Sequence, residues 1–315
     1  MTNKTLVVVL GATATGKTEV AIRLATALGG EIVSSDSRQV YREMRIGTAA
    51  PTPQEQASVR HHLIGTRSIE EEYSCGRYEQ EATSLIERLF TQQSLLFLVG
   101  GSGLYIDAVC RGMDDMPATD PQLRAILTRR LQTEGLETLA AELQQRDPIY
   151  YAQVDRQNPQ RVMRALEVCL QTGRPYSKIR TGQAKTRPYR ILKLGITLPR
   201  EVLYDRINRR VDRMVEEGLE EEARGLYAHR HLNALQTVGY QEWFDYFDGK
   251  ISRAEAIELI KRNSRRYAKR QETWFRRDPA IHWVTGDPSC ADQALAWLRE
   301  QLSPSSGEES GLANP

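Results

Sequence analysis

The sequence predicts an α/β fold: a parallel sheet core of the P-loop NTPase kind, with an all-helical insertion and a set of C-terminal helices. Three observations predict it. The stretch Gly11-Ala12-Thr13-Ala14-Thr15-Gly16-Lys17-Thr18 has the spacing G-x-x-x-x-G-K-[ST] and lies between an apolar run at 6–10 and helical periodicity over 20–28. Short apolar runs at 31–35, 95–99 and 189–197 alternate with helical stretches, as parallel strands joined by helices do. Residues 113–173 contain several helix starts and no convincing strand.

In chain order, the run 6–10 is the first strand and the glycine loop leads into the first helix. Gly29-Gly30 stops that helix, and 31–35 is a second buried strand ending in Asp36-Ser37-Arg38-Gln39. Residues 49–72, with prolines at 51 and 53, read as loops and a short helix; 78–92 reads as a helix; 95–99 is the clearest buried strand. Gly100-Gly101-Ser102-Gly103 then opens another helix. Within 113–189, Asp120-Pro121, Asp147-Pro148 and Asn158-Pro159 each put a capping side chain before a proline at the first helical position. Residues 174–190 are basic and broken by Pro and Gly. Sheet character returns at 189–197, followed by helices over 200–217, 219–229 and 252–276, an edge strand at 281–284 and a closing helix at 292–301. Ser252-Arg253-Ala254-Glu255 is a capping box. The expected organisation is a core of 1–112 and 190–302, a helical insertion at 113–189 and a disordered tail at 303–315.

Composition narrows the function. With 315 residues, 40% hydrophobic and 27% charged, the chain has the make-up of an ordinary globular protein, and a net charge of +2 names no partner. Cys75, Cys110, Cys169 and Cys290 are far apart and lack metal-ligand spacing, so they read as reduced thiols of a cytoplasmic protein. No window approaches a membrane span.

The chemistry starts at the loop. Gly11 and Gly16 let backbone N–H groups turn inward around an anion, Lys17 adds charge, and the Thr18 hydroxyl suits a Mg2+ that also touches phosphate oxygens. Whether that anion is ATP, GTP or another diphosphate is open at this point. The best strand ends in Gly100-Gly101 rather than an Asp, and no N-K-x-D guanine reader occurs, so a diphosphate held as a leaving group is favoured over a cleaved triphosphate. Asp36, at a strand end facing the loop, is the candidate base; Ser102 is a candidate hydroxyl in the same crevice. Arg206, Arg210 and Arg213 share one helix face, from which one could reach a pyrophosphate, with Glu216, Glu217, Glu220, Glu221 and Glu222 close enough to neutralise the row. Residues 253–277 carry nine basic residues against three acidic ones, interleaved with Tyr267, Trp274 and Phe275, which is charge plus stacking surface for nucleic acid. A second basic set includes Arg161, Arg164 and 174–190. Two other classes also fit a P-loop: a small-molecule or nucleotide kinase, and a nucleotide-switched RNA-binding protein.

The loop 11–18 together with Ser35-Asp36-Ser37-Arg38-Gln39-Val40-Tyr41, Ile46-Gly47-Thr48-Ala49, His61-His62-Leu63, Val99-Gly100-Gly101-Ser102-Gly103, Asn158-Pro159-Gln160-Arg161, Thr237-Val238-Gly239-Tyr240 and Lys269-Arg270-Gln271-Glu272-Thr273-Trp274-Phe275-Arg276 resembles the bacterial tRNA dimethylallyltransferases, in order and spacing, from about residue 5 to 285. The resemblance implies transfer of a dimethylallyl group from dimethylallyl diphosphate to N6 of the adenosine 3′ of the anticodon, with Mg2+ as cofactor. It implies that residues 11–18 hold the diphosphate, that Asp36 is the general base, that Ser102 (typically Thr in the family) helps place amine and metal, and that Lys17 and Arg210 hold the pyrophosphate. It further implies tRNA contacts from Asp36, Ser37, Arg38, Gln39, Ser102, Arg124, Gln160, Arg161, Arg164, Gly239, Tyr240, Lys269, Arg270, Gln271, Trp274 and Arg276. The insertion and the basic C-terminal helix would grip the anticodon arm, and the protein is expected to act as a monomer away from membranes. Ala12, Thr15 and Gly65 also depart from the family's usual residues, Gly65 standing where an Asp is common.

Overall fold

The structure is a computed structural model that describes residues 4–303; the expected tail lies, apart from Ser303, outside the described residues. In chain order the elements are β1 (Thr5–Gly11), α1 (Lys17–Leu28), β2 (Glu31–Ser34), α2 (Pro53–Ser58), β3 (His61–His62), α3 (Cys75–Leu89), β4 (Leu95–Gly100), α4 (Gly103–Arg111), α5 (Pro121–Glu134), α6 (Leu136–Arg146), α7 (Pro148–Tyr151), α8 (Pro159–Thr172), α9 (Tyr176–Ile179), β5 (Arg190–Thr197), α10 (Arg200–Glu216), α11 (Leu219–Leu226), α12 (Gln241–Phe247), α13 (Arg253–Phe275), β6 (Ile281–Thr285) and α14 (Cys290–Leu302). The described residues form two compact units, one of 4–110 with 187–303 and one of 111–186.

The first unit is built on a six-stranded parallel sheet in the order β3-β2-β4-β1-β5-β6. Successive side chains of a strand point to opposite faces, and β1 is buried on both. Val7 and Val9 pack with Ala21, Leu24, Ala294 and Leu298 of α1 and α14. Leu6, Val8 and Leu10 pack on the other face with Tyr78, Ile86, Ile106 and Ile260 of α3, α4 and α13. This double covering explains why β1 and β4 read as unbroken apolar runs. It also leaves the carboxyl ends of β1, β2 and β4 as the edge of a crevice, where open α/β sheets bind ligands.

The capping signals form as the sequence predicts: Ser252 and Glu255 close a reciprocal box at α13, and Asp120, Asp147 and Asn158 cap α5, α7 and α8 ahead of prolines. Some elements differ from the sequence expectation. The helix read at 78–92 starts at Cys75, because Ser74 caps it. The helix read over 219–229 ends at Leu226 and finishes as a 3-10 turn. Elements without a forecast of their own include β3, only two residues long, α6, the four-residue α9 within the stretch read as broken, and α12, whose Trp243 and Phe244 are buried. Residue 281 begins an edge strand, as expected, parallel to β5.

The second unit is all helical, α5 to α9, around Leu127, Leu139, Leu143, Val162 and Leu166.

Candidate functional site

The loop after β1 takes its shape from backbone conformations that few residues tolerate. Gly11 has φ 150, and a Cβ there would lie 2.4 Å from the Ile196 carbonyl oxygen of β5. Gly16, at φ 95, caps α1, and Ala14 holds a left-handed φ of 65. The N-terminus of α1 then points into the space the loop encloses.

Two half-buried cations converge there. Lys17 Nζ donates to the Ala12 carbonyl at 2.6 Å, and its pKa is pushed down to about 7 by burial first and the Arg210 charge second, with Asp36 opposing. Arg210 Nη1 donates to Thr13 Oγ1 at 3.2 Å, and burial lowers its pKa too. A lowered pKa on a lysine marks charge that lacks a counter-ion. A multiply charged anion in this loop supplies one. Of the other arginines on α10, Arg206 donates to the Gly286 carbonyl at 3.1 Å and faces the same cavity, Arg209 turns out to pair with Asp205, and Arg213 is exposed at the cavity rim.

The segment after β2 crosses the mouth of the loop. Asp36 Oδ1 accepts from the N–H groups of Arg38 (2.9 Å) and Gln39 (3.3 Å), which fixes a turn and leaves the second carboxylate oxygen to the cavity. Ser102, after β4, accepts from Ser37 N–H at 3.0 Å, donates to the Ser37 hydroxyl at 3.3 Å, and lies beside the Tyr267 side chain of α13. Gly100 permits this crossing: a Cβ there would lie 2.4 Å from the carbonyl oxygen of Ser35. Gln39 is absorbed by the fold, its amide donating to the carbonyls of Thr48 and Ala49.

Thr13, Lys17, Asp36, Ser37, Arg206 and Arg210 line one cavity of about 1280 Å³, which also takes in Thr18, Ile32, His61, Val99, Thr237, Gly239 and Arg270; Ser102 sits behind Ser37 and is not part of the lining. One wall, residues 45–47, is held by Glu222, whose carboxylate accepts the N–H groups of Arg45, Ile46 and Gly47 at 2.8–2.9 Å and the Tyr240 hydroxyl at 2.7 Å. Gly47 makes room for that tyrosine, since a Cβ would lie 2.6 Å from its ring. Glu222 therefore does not neutralise the arginine row, and Glu220 pairs instead with Arg224 and Arg253. Nothing in the sequence marks Glu222 apart from its acidic neighbours.

The candidate RNA residues divide. On α13, Lys269 and Arg270 are exposed, the Arg270 guanidinium lying 5.7 Å from the Tyr267 ring; Arg276 is exposed beside Trp283. Gln271 is 6% exposed, accepting from Thr13 N–H and donating to the Gly101 carbonyl, each at 2.8 Å. Trp274 packs over Gly103 and donates to Asp107 at 2.9 Å. Tyr240 is wholly buried and Gly239 buried, its N–H donating to Glu242. So Tyr240 and Gln271 are buried and bonded within the site, and Trp274 is half-buried against Gly103. In the helical unit, Arg124 and Arg164 share the buried carboxylate of Glu167 at 3.2 and 3.1 Å, Arg124 also reaches Gln160 at 3.3 Å, and Arg161 is exposed.

Among the described residues no helix is long and apolar enough to cross a membrane, and no three His, Cys, Asp or Glu side chains group to hold a metal.

The profile of the IPP transferase family matches residues 39–278. The chain is 50% identical over 302 residues to tRNA dimethylallyltransferase 1 of Bacteroides fragilis, covering 96% of this chain and all of that one. It is 53% identical over 279 residues to tRNA dimethylallyltransferase 1 of Porphyromonas gingivalis, covering 89% and 93%. Among solved structures, the full-length tRNA isopentenylpyrophosphate transferase of Bacillus halodurans superposes with TM-score 0.71 at 40% identity, over 95% of this chain and 97% of that one. A eukaryotic dimethylallyltransferase acting on tRNA superposes with TM-score 0.80 at 25% identity, over 97% and 81%. With this sheet, this loop and these relatives, the chain belongs to the IPP transferase family of tRNA dimethylallyltransferases.

Proposed function

We propose that the chain transfers a dimethylallyl group from dimethylallyl diphosphate to N6 of the adenosine 3′ of the anticodon in a subset of tRNAs and releases diphosphate. The observation that carries this reading is the pairing of two half-buried cations, Lys17 and Arg210, with one carboxylate, Asp36, in a single cavity. N6 attacks the allylic carbon, the carbon–oxygen bond breaks, and the electron pair leaves with the diphosphate. Asp36 takes the N6 proton. Lys17, Arg210 and the loop N–H groups of 14–18 carry the charge that develops on the departing oxygens, a role for donors fixed in place before the reaction. Ser102, bonded to the backbone N–H and hydroxyl of Ser37, sets the position of the Asp36 turn.

The residues present fit Mg2+: the Thr18 hydroxyl at the cavity wall would offer one oxygen ligand, and Mg2+ prefers to fill the rest of its shell from phosphate and water. Bound there, Mg2+ neutralises charge on the diphosphate.

A buried base reaches such a cavity only when turned out of its stack, and an anticodon loop yields one readily. Lys269, Arg270 and Arg276 meet the tRNA backbone by their exposure and charge, with Arg38 and Ser37 beside the entering base. Arg124, Gln160, Arg161 and Arg164 supply a second basic contact. The protein works as a monomer in the cytoplasm, in keeping with cysteines that are all free.

Calorimetric titration tests the choice of diphosphate. Dimethylallyl diphosphate with Mg2+ binds more tightly than ATP, and Lys17→Met abolishes the difference; tighter ATP binding with phosphoryl transfer would make the protein a kinase.

A further inference from the structure

Gln271 sits near the C-terminal end of α13, next to the exposed Lys269 and Arg270, yet its own side chain is buried. It joins three parts of the site. Its Oε1 accepts from the Thr13 N–H of the phosphate loop, its Nε2 donates to the Gly101 carbonyl of the turn that carries Ser102, and both bonds are 2.8 Å. The turn is fitted to it, since a Cβ on Gly101 would lie 2.3 Å from Nε2. One helical turn earlier, Tyr267 lies beside Ser102, so residues 267 and 271 approach the Gly101–Ser102 turn from the same helix face. Thr13 is also the residue that receives Arg210.

We propose that Gln271 is a positioning residue for the alkyl donor: it sets the phosphate loop at Thr13 and the Gly101 turn so that Arg210 and the loop amides meet the diphosphate, and it makes no contact with RNA. This rests on the reading of the loop as a diphosphate site. An amide is suited to the task because it donates and accepts at once, which neither Glu nor Met does.

Two variants approach the latch from opposite ends. Gln271→Met keeps the length and removes both hydrogen bonds; Gly101→Ala displaces the amide without altering it. Binding of inorganic pyrophosphate with Mg2+ and of unmodified tRNA is measured by calorimetry on the full chain, with thermal unfolding as the folding control. The expected result in both variants is pyrophosphate binding about 10- to 100-fold weaker, the worth of a lost hydrogen bond to a charged group, with tRNA affinity within about twofold of the parent. Parental pyrophosphate affinity in a folded variant overturns the proposal, as does an equal loss of tRNA affinity. Failure of both variants to fold also overturns it, because Gln271 would then serve the whole core rather than the loop. Because pyrophosphate binding needs no alkyl transfer, a parent protein that binds it but alkylates no tRNA counts against the proposed reaction and not against the latch.

Discussion

Asp36→Asn separates the two tasks of one carboxylate. Oδ1 holds the turn by accepting from Arg38 and Gln39, and asparagine keeps an oxygen in that place. What changes is charge. Two bonds to an ionised acceptor become bonds to a neutral one, each falling from about 1.5–3 to about 0.5–1.5 kcal/mol, and for a half-buried residue the total cost is about 1–2 kcal/mol. The fold survives that. The chemistry loses its proton acceptor, which costs about 10²- to 10⁴-fold in rate. Diphosphate binding moves the other way: Asp36 sits close enough to raise the pKa of Lys17 and of Arg210, so removing its negative charge lifts a repulsion from the incoming anion. Single-turnover transfer with saturating tRNA, beside separate binding titrations, should show a collapsed rate with donor affinity unchanged or tighter. A rate within tenfold of the parent, or a loss that lies wholly in donor binding, would refute the assignment of Asp36 as base.

Three further outcomes follow from the same geometry. Glu222→Gln forces an amide NH2 against two N–H donors of residues 45–47 and loses about two of four bonds, about 2–4 kcal/mol, read as a fall in Tm of about 5–15 °C; an unchanged Tm would remove Glu222 as the anchor of that wall. Lys17 has a folded pKa of about 7 against 10.5 unfolded, so the unfolded chain binds more protons in between and stability rises with pH there. The stability of the empty parent relative to Lys17→Met should therefore rise by up to about 1.4 kcal/mol per pH unit from pH 7 towards 10.5 and be flat below 7; denaturant curves that stay parallel across pH 7 to 9.5 would contradict it. Lys269→Ala with Arg270→Ala should weaken tRNA binding and reduce its log–log salt slope by about 1–2, and an unaltered slope would place the RNA elsewhere.

The phosphate loop, the capped helices and the sheet's parallel character were legible because each is encoded within a few neighbouring residues: a glycine spacing, a Ser-x-x-Glu box, an apolar run. The order of the strands and the residues that lock the site were not. Gln271 meets Thr13 across 258 positions and Glu222 meets Ile46 across 176, and neither pairing leaves a local periodicity. The same gap explains why Gln271 and Trp274 read as part of a basic, aromatic RNA face. Linear spacing put them beside Lys269 and Arg270, but the helix turns them to the sheet side, where Gly101 and Gly103 have no Cβ to block them. α12 went unforecast because its seven residues are too few to show a helical period before a stop at Asp248-Gly249.

The central claim is that the cavity joins an allyl diphosphate to a tRNA adenine. The direct measurement incubates purified protein with Mg2+, dimethylallyl diphosphate labelled in the alkyl group, and unmodified tRNA with consecutive adenosines 3′ of the anticodon, followed by digestion to nucleosides. The account predicts label on N6-alkylated adenosine from that position, absent with Asp36→Asn. Active tRNA and a working control enzyme with no labelled nucleoside, or label on a different base, would contradict it.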